Sequence, residues 1–169
     1  MSRGFSLVEA LFATTVLTVA LVAVAQLAVL STRANQRAGS ATFMAVLAAQ
    51  KMEQLRALAW TFDASGSPLS DMSTDTASEG TPGGTGLTPS PSGVLEHNTS
   101  GYCDFLDQHG QTLGGGAVPP DRSAFVRRWS IDPIEGLPND TLLIQVLVIH
   151  PGGGGEEARI VGVRTRKGG

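Results

Sequence analysis

The sequence is poor in cysteine and histidine, and this scarcity excludes several classes of site. Cys103 is the only cysteine, so no disulfide can form within the chain. One thiol and the histidines His97, His109 and His150 do not have the spacing of zinc ligands. The sequence also lacks a phosphate-binding loop and a nucleophile elbow. We therefore expect a protein that is not an enzyme and that holds neither a metal nor another cofactor.

Charge is absent from one long segment near the N-terminus. No charged residue occurs from Ala10 to Leu30, although charged residues make up 16% of the chain. At about 1.5 Å per residue this run forms a helix about 31 Å long, close to the thickness of a bilayer's hydrocarbon core. Its polar residues are Thr14, Thr15, Thr18 and Gln26. Threonine hydroxyls can donate to carbonyls of their own helix, so the pattern predicts a membrane-spanning helix.

A carboxylate stands at the beginning of this apolar run. The sequence there is Gly4-Phe5-Ser6-Leu7-Val8-Glu9-Ala10, after a short leader in which Arg3 is the charged side chain. A charge inside a membrane helix is costly unless it is paired or reaches the interface, and Glu9 is near enough to the end to do the latter. The segment resembles the type IV prepilin signal: a basic leader ending in glycine, then phenylalanine, an apolar run, and glutamate four residues after the phenylalanine.

This resemblance implies a minor-pilin-like member of the superfamily of type IV pilins and type II secretion pseudopilins. Residues 1–4 would be the leader, which prepilin peptidase removes by cutting after Gly4, and the new amine of Phe5 would be methylated. Glu9 would pair with the N-terminus of a neighbouring subunit during assembly. A cationic amine at the membrane end of the helix supplies the counter-charge that a buried carboxylate needs.

The resemblance also implies a location and a set of partners. The chain would be a single-pass inner-membrane protein with a periplasmic C-terminal domain, and later a structural subunit of a pilus or a secretion pseudopilus. Its partners would be prepilin peptidase, other minor and major pilins or pseudopilins, the inner-membrane assembly platform and the lipid bilayer. Neither the choice between the two machines nor a position at tip or shaft follows from the sequence.

Four other interpretations stay open. Ala23-Val24-Ala25 permits signal peptidase cleavage after Ala25, although Glu9 and the continuation of the apolar run to Leu30 count against it. An uncleaved signal anchor is a second alternative. A membrane-anchored periplasmic binding module that does not polymerise is a third. The fourth is a DNA-uptake minor pilin that uses the late basic residues, although solvated strand edges and a charged terminus explain them more simply. These residues are Arg127, Arg128, Arg159, Arg164, Arg166 and Lys167.

The helical signal continues beyond the apolar run. No proline occurs before Pro68, and Gly39 is the only glycine between Phe5 and Ala64. Apolar residues then recur at helical spacing: Met44, Leu47, Ala48, Met52, Leu55, Leu58, Ala59 and Phe62. The opposite face carries Gln50, Lys51, Glu53, Gln54 and Arg56. We expect a transmembrane or filament-core helix over 5–30 that continues as an amphipathic helix over 31–62 and packs on a small sheet.

The rest of the chain reads as a loop followed by a sheet domain. Residues 63–93 are rich in Gly, Ser, Thr and Pro, which predicts a flexible loop. In the sheet domain, 94–169, strands are predicted over 124–131, 141–149 and 158–165, with Phe125, Trp129 and Ile131 on one face. The turn-rich connections between them predict an antiparallel meander, and a weaker hairpin is predicted over 102–113, turning at 108–110. The predicted fold class is α+β, with a sheet of three or four strands.

One acidic motif raises the question of calcium. Asp104, Asp107 and Gly110 are evenly spaced, but the oxygens do not follow the pattern of an EF-hand loop and no anchoring glutamate follows at the required distance. We interpret the motif as a hairpin turn.

Overall fold

The computed structural model describes residues 6–77, 83–152 and 155–166. The described residues form one α-helix, α1 (Leu7–Ala57), and seven strands. The strands are β1 (Trp60–Phe62), β2 (Pro68–Ser70), β3 (Cys103–Leu106), β4 (Thr112–Gly115), β5 (Phe125–Pro133), β6 (Thr141–Ile149) and β7 (Glu157–Thr165). This arrangement confirms the α+β class. The chain divides into two compact units, Met1–Ser40 and Ala41–Gly169, which we call the N-terminal unit and the head unit.

The helix begins directly after Ser6, whose carbonyl accepts the N–H groups of Glu9 and Ala10 at 3.0 and 3.1 Å. It ends at Ala57, so the predicted continuation to Phe62 is wrong. Trp60–Phe62 instead pairs antiparallel with Pro68–Ser70. Aromatic residues and threonine favour strands, and the turn that closes this hairpin is fixed by Asp63, whose Oδ1 accepts the N–H groups of Ser65 and Ser67.

The main sheet has five antiparallel strands in the order β4-β3-β5-β6-β7. The three predicted strands are confirmed as β5, β6 and β7, and the weaker hairpin is confirmed as β3 and β4. The sheet therefore has five strands where three or four were predicted, and β1 and β2 form a separate pair. The predicted meander is confirmed for β5 to β7.

The core of the head unit lies between the last third of α1 and one face of the sheet. The helix contributes Met44, Leu47, Ala48, Met52 and Leu55. The three side chains predicted for the facing side of β5, Phe125, Trp129 and Ile131, belong to the same cluster. Cys103, Phe105 and Val126 form a second, smaller cluster with Leu113.

The segment 63–93 contains more regular and buried structure than its composition predicts. It includes β2, and Thr76, Ala77 and Leu87 are buried. The Leu87 N–H donates to the carbonyl of Asp71 at 2.7 Å, and the Ser90 N–H donates to that of Ile131 at 2.9 Å. A few apolar residues and backbone hydrogen bonds thus attach this segment to the sheet domain. Residues 78–82 lie outside the described part of the chain.

Candidate assembly helix and the buried ion cluster

From Ala10 to Leu30 the helix of the N-terminal unit has an exposed, largely apolar surface on all sides. Every Leu, Val and Phe side chain from Leu7 to Leu30 is exposed, from 50% at Val29 to 84% at Leu7. A helix that is apolar all round is suited to lipid or to the interior of an assembly. The helix contains an 18-residue window with a mean hydropathy of 2.3. It is therefore compatible with a single-pass membrane anchor.

The hydroxyl groups in this segment are satisfied by the helix itself. Thr14 and Thr15 donate to the Leu11 carbonyl at 2.9 and 2.8 Å, and Thr18 donates to that of Thr14 at 2.7 Å. These hydrogen bonds are the ones expected from the sequence, in which threonine hydroxyls donate to carbonyls of their own helix. They remove much of the cost of placing three threonines in an apolar environment.

Glu9, the residue assigned to assembly, lies exposed in the first turn of α1. A carboxylate there interacts favourably with the unpaired N–H groups of the helix start, a role that any acidic residue can fill. Within residues 6–77, 83–152 and 155–166, Glu9 forms no ion pair. Gly4 and Phe5, the two residues expected to flank the cleavage site, lie outside the described residues.

The head unit contains an ion cluster that the sequence did not reveal. Asp104 of β3 forms two hydrogen bonds with Arg127 of β5, at 2.9 Å from Nε and 2.8 Å from Nη2. The Lys51 Nζ of α1 lies 2.7 Å from Oδ2 of the same carboxylate. The side chains of Lys51 and Asp104 are each 1% exposed and that of Arg127 is 7% exposed. The helix and two strands therefore meet at one buried carboxylate.

The two cations also donate to other groups around the carboxylate. Lys51 Nζ donates to the side chain of Gln54 and to the carbonyl of Thr76. Arg127 Nη1 donates to the Leu47 carbonyl at 3.0 Å. Lys51 Nζ also lies 4.2 Å from the centre of the Trp129 ring, a favourable distance for a cation and an aromatic face. The cluster thus binds the helix, the sheet and the segment before residue 78 to one another.

The cluster holds two cations and one carboxylate, all of them buried. The pKa of Lys51 is lowered to about 8, mainly because burial disfavours its charged form and in smaller part because of Arg127, while Asp104 acts in the opposite direction. The ammonium is less stable there than in water, because removal from solvent costs more than its partners in the cluster return.

The prediction that Lys51 lies on the polar face of the helix is therefore wrong. Leu47, Lys51 and Leu55 are spaced by four residues, which places all three on the same face of a helix. Arg127 likewise alternates with Phe125 and Trp129 and shares their side of β5. The spacing of Lys51 and Arg127 among apolar residues is thus the feature of the sequence that indicates their burial.

The late arginines bind groups of the chain itself, so their interpretation as solvated edges is wrong for most of them. Arg164 donates to the Leu55 and Leu58 carbonyls, where α1 ends. Arg166 lies 3.6 Å from the Trp60 ring and donates to carbonyls of β1 and β2. Arg128 donates to the Leu95 and Glu96 carbonyls at 2.9 and 2.8 Å. Arg159 is exposed, and Lys167 lies outside the described residues.

The acidic motif forms a hairpin turn, as predicted. Asp107 Oδ1 accepts the N–H groups of His109 and Gln111 at 2.8 and 2.9 Å. The Asp104 carboxylate instead accepts hydrogen bonds from Arg127. In the part of the chain that the structure describes, no group of three His, Cys, Asp or Glu side chains is arranged to hold a metal ion.

The single cysteine is buried in the sheet domain. Burial raises the pKa of the Cys103 thiol, whose Sγ lies 2.9 Å from the Gly116 carbonyl oxygen. A buried thiol with a raised pKa is a poor nucleophile. We therefore interpret Cys103 as a residue that packs in the sheet domain.

Comparison with known proteins identifies no relative of this chain. No family model, no curated protein and no solved structure matches the chain.

Proposed function

We propose that this chain is a structural subunit of a type IV pilus or a type II secretion pseudopilus, of the minor-pilin class. One helix carries both parts that such a subunit needs. Its first half is uncharged and exposed from Ala10 to Leu30, and its last third forms the core of an α+β head unit. This helix is the observation that carries the proposal, and the resemblance of residues 4–10 to a prepilin signal supports it.

The proposed mechanism begins in the inner membrane. The apolar helix inserts as a single span with the head unit in the periplasm, and prepilin peptidase removes residues 1–4. The cationic amine of Phe5 then becomes available to the Glu9 carboxylate of a neighbouring subunit. In a medium of low dielectric constant such a pair strongly favours one docking position over others.

The chain's own arginines give little support to a role in DNA uptake. Arg127, Arg164 and Arg166 donate to the carboxylate or carbonyl groups of the chain, so much of their hydrogen-bonding capacity is already used. A membrane-anchored module that does not polymerise remains the main competitor, because it needs the same apolar helix.

The decisive experiment is the intact mass and N-terminal sequence of the chain from a host with active prepilin peptidase. A matched preparation from a host without the peptidase is the control. We expect a mature chain that begins at methylated Phe5 in the first host only. A chain that begins at Gln26, or one that keeps Met1–Gly4 in both hosts, would contradict the proposal.

A further inference from the structure

The two edges of the five-stranded sheet differ in how well they are protected. β4 is four residues long, its pairing with β3 shifts register between Phe105 and Leu106, and Gly114 has a φ of 105°. Short and irregular edges resist pairing with a further strand. The short length and irregular backbone of β4 therefore protect this edge against pairing with a further strand.

The β7 edge has none of this irregularity. It is nine residues long and pairs with β6 without a shift from Thr141↔Thr165 to Ile149↔Glu157. It contains no proline, and in the described part of the chain no strand pairs with its other side. A long regular edge offers a row of main-chain donors and acceptors to another extended segment.

One face of β7 adds apolar surface to this edge. Alternate residues from Glu157 to Thr165 are exposed, and among them Val161 and Val163 are 55% and 56% exposed. A strand added beside β7 would place its own side chains against these two valines.

The other face of β7 adds positive charge. A cleft of about 380 Å³ is lined by residues 56–61 of the helix end and β1 and by residues 163–165 of β7. Arg56 and Arg164 line this cleft, and Arg56 Nη1 lies 3.1 Å from the one carboxylate of the helix end, Glu53. Burial, followed by repulsion from Arg56 and Arg166, lowers the pKa of Arg164. The cleft thus holds two guanidinium groups, Arg56 and Arg164, and the one carboxylate beside them, Glu53, leaves a net positive charge.

We propose that the β7 edge binds an extended acidic segment of another protein, which adds to the sheet as a further strand. Its main chain pairs with β7, its apolar side chains cover Val161 and Val163, and its carboxylates face Arg56 and Arg164. Main-chain pairing supplies affinity in this mode of recognition, and alternate side chains supply specificity. The inference concerns the head unit and holds whether or not the chain is processed or inserted as proposed above.

The test uses the full chain in detergent micelles and a short peptide in which valine and glutamate alternate. Hydrogen exchange of the amides is measured with and without the peptide. We expect slower exchange in β7 and unchanged exchange in β4. A peptide with lysine in place of glutamate has the same strand propensity and the opposite charge, and we expect it to have no effect.

Two pairs of variants locate the binding. Val161→Lys places a charge on the exposed face and should abolish the slowing, whereas Val118→Lys, at a position 79% exposed between β4 and β5, should leave it unchanged. Arg56→Gln should weaken binding of the glutamate peptide by about tenfold, and Arg33→Gln, elsewhere on α1, should not. Circular dichroism verifies that each variant is folded.

Three results would overturn the inference. The first is unchanged exchange in β7 at saturating peptide. The second is equal slowing by the lysine peptide, which would show that the β7 edge does not select an acidic segment. The third is slowing that appears without peptide as the protein concentration rises, which would identify a second copy of the chain as the occupant.

Discussion

Lys51 of α1 and Asp104 of β3 form a buried ion pair, with Nζ and Oδ2 separated by 2.7 Å and both side chains 1% exposed. The pair fixes one turn of the helix against one position of the sheet. Arg127 binds the same carboxylate, so the cluster is held by three elements that are distant in sequence. The stability of the head unit should therefore respond differently to the loss of each member.

Asp104→Asn should strongly destabilise the head unit. Removal of the carboxylate leaves two buried cations without a counter-charge, and breaking a buried pair in this way costs about 3 to 5 kcal/mol. Urea unfolding of the full chain in detergent, followed by tryptophan fluorescence, measures the change. Asp121→Asn is the control, because Asp121 is exposed. A free energy of unfolding within about 0.5 kcal/mol of the parent protein would show that the cluster is not a determinant of stability.

Lys51→Met should be far milder than Asp104→Asn, although Lys51 is as deeply buried. The substitution leaves a neutral pair of Asp104 and Arg127 and fills the site with a side chain of similar length. Replacing a buried ion with an apolar residue of similar volume is often neutral or stabilising. The same unfolding measurement tests this. A loss as large as that of Asp104→Asn would mean that the ammonium is indispensable.

The parent protein should become more stable as the pH rises from about 8 to 10.5, because of Lys51. Its pKa is about 8 in the folded state and 10.5 in the reference state, so between these values the unfolded chain binds more protons. Stability rises with pH under that condition, by up to about 3 kcal/mol for a shift of this size. The free energy of unfolding is measured across this range for the parent and for Lys51→Met. The difference between the two proteins should change in this window; a constant difference would contradict the lowered pKa.

Arg164→Ala should destabilise the end of α1. Its guanidinium donates to the Leu55 and Leu58 carbonyls, which have no further turn of helix to pair with. Loss of hydrogen bonds from a charged donor costs about 1.5 to 3 kcal/mol. Arg159→Ala is a matched control on the same strand, because Arg159 is exposed and should contribute less than about 0.5 kcal/mol. Equal effects of the two variants on thermal unfolding would show that Arg164 does not cap the helix.

The parts of the fold that could be predicted are those with a simple period. The apolar stripe from Met44 to Leu55 and the strands β5, β6 and β7 follow from helical and alternating patterns. The helix end at Ala57 was missed because Trp60–Phe62 continues the helical spacing yet has high strand propensity, and its pairing with β2 decides the outcome. The ion cluster could not be predicted, because its three residues lie on elements that are distant in sequence and meet only in the folded structure. A lysine or arginine among apolar residues does not by itself indicate a buried partner. The proposed role of Glu9 in assembly rests on its local sequence and stays a prediction, because the fold does not test it.

Glu9→Ala should separate membrane insertion from assembly. The apolar run from Ala10 to Leu30 is unchanged by the substitution, so we expect the variant to fractionate with the membrane and to be cut after Gly4 like the parent. We expect its incorporation into sheared filaments or pseudopili to be lost, because the neighbouring amine no longer has a partner in the apolar interior. Loss of helix-start stabilisation alone amounts to only about 0.3 to 1 kcal/mol, which is too little to prevent folding. Glu9→Asp keeps the charge in the first turn and is the matched control, for which partial incorporation is expected. If Glu9→Ala enters filaments as well as the parent does, Glu9 serves only the helix start, and the anchored module that does not polymerise becomes the better interpretation.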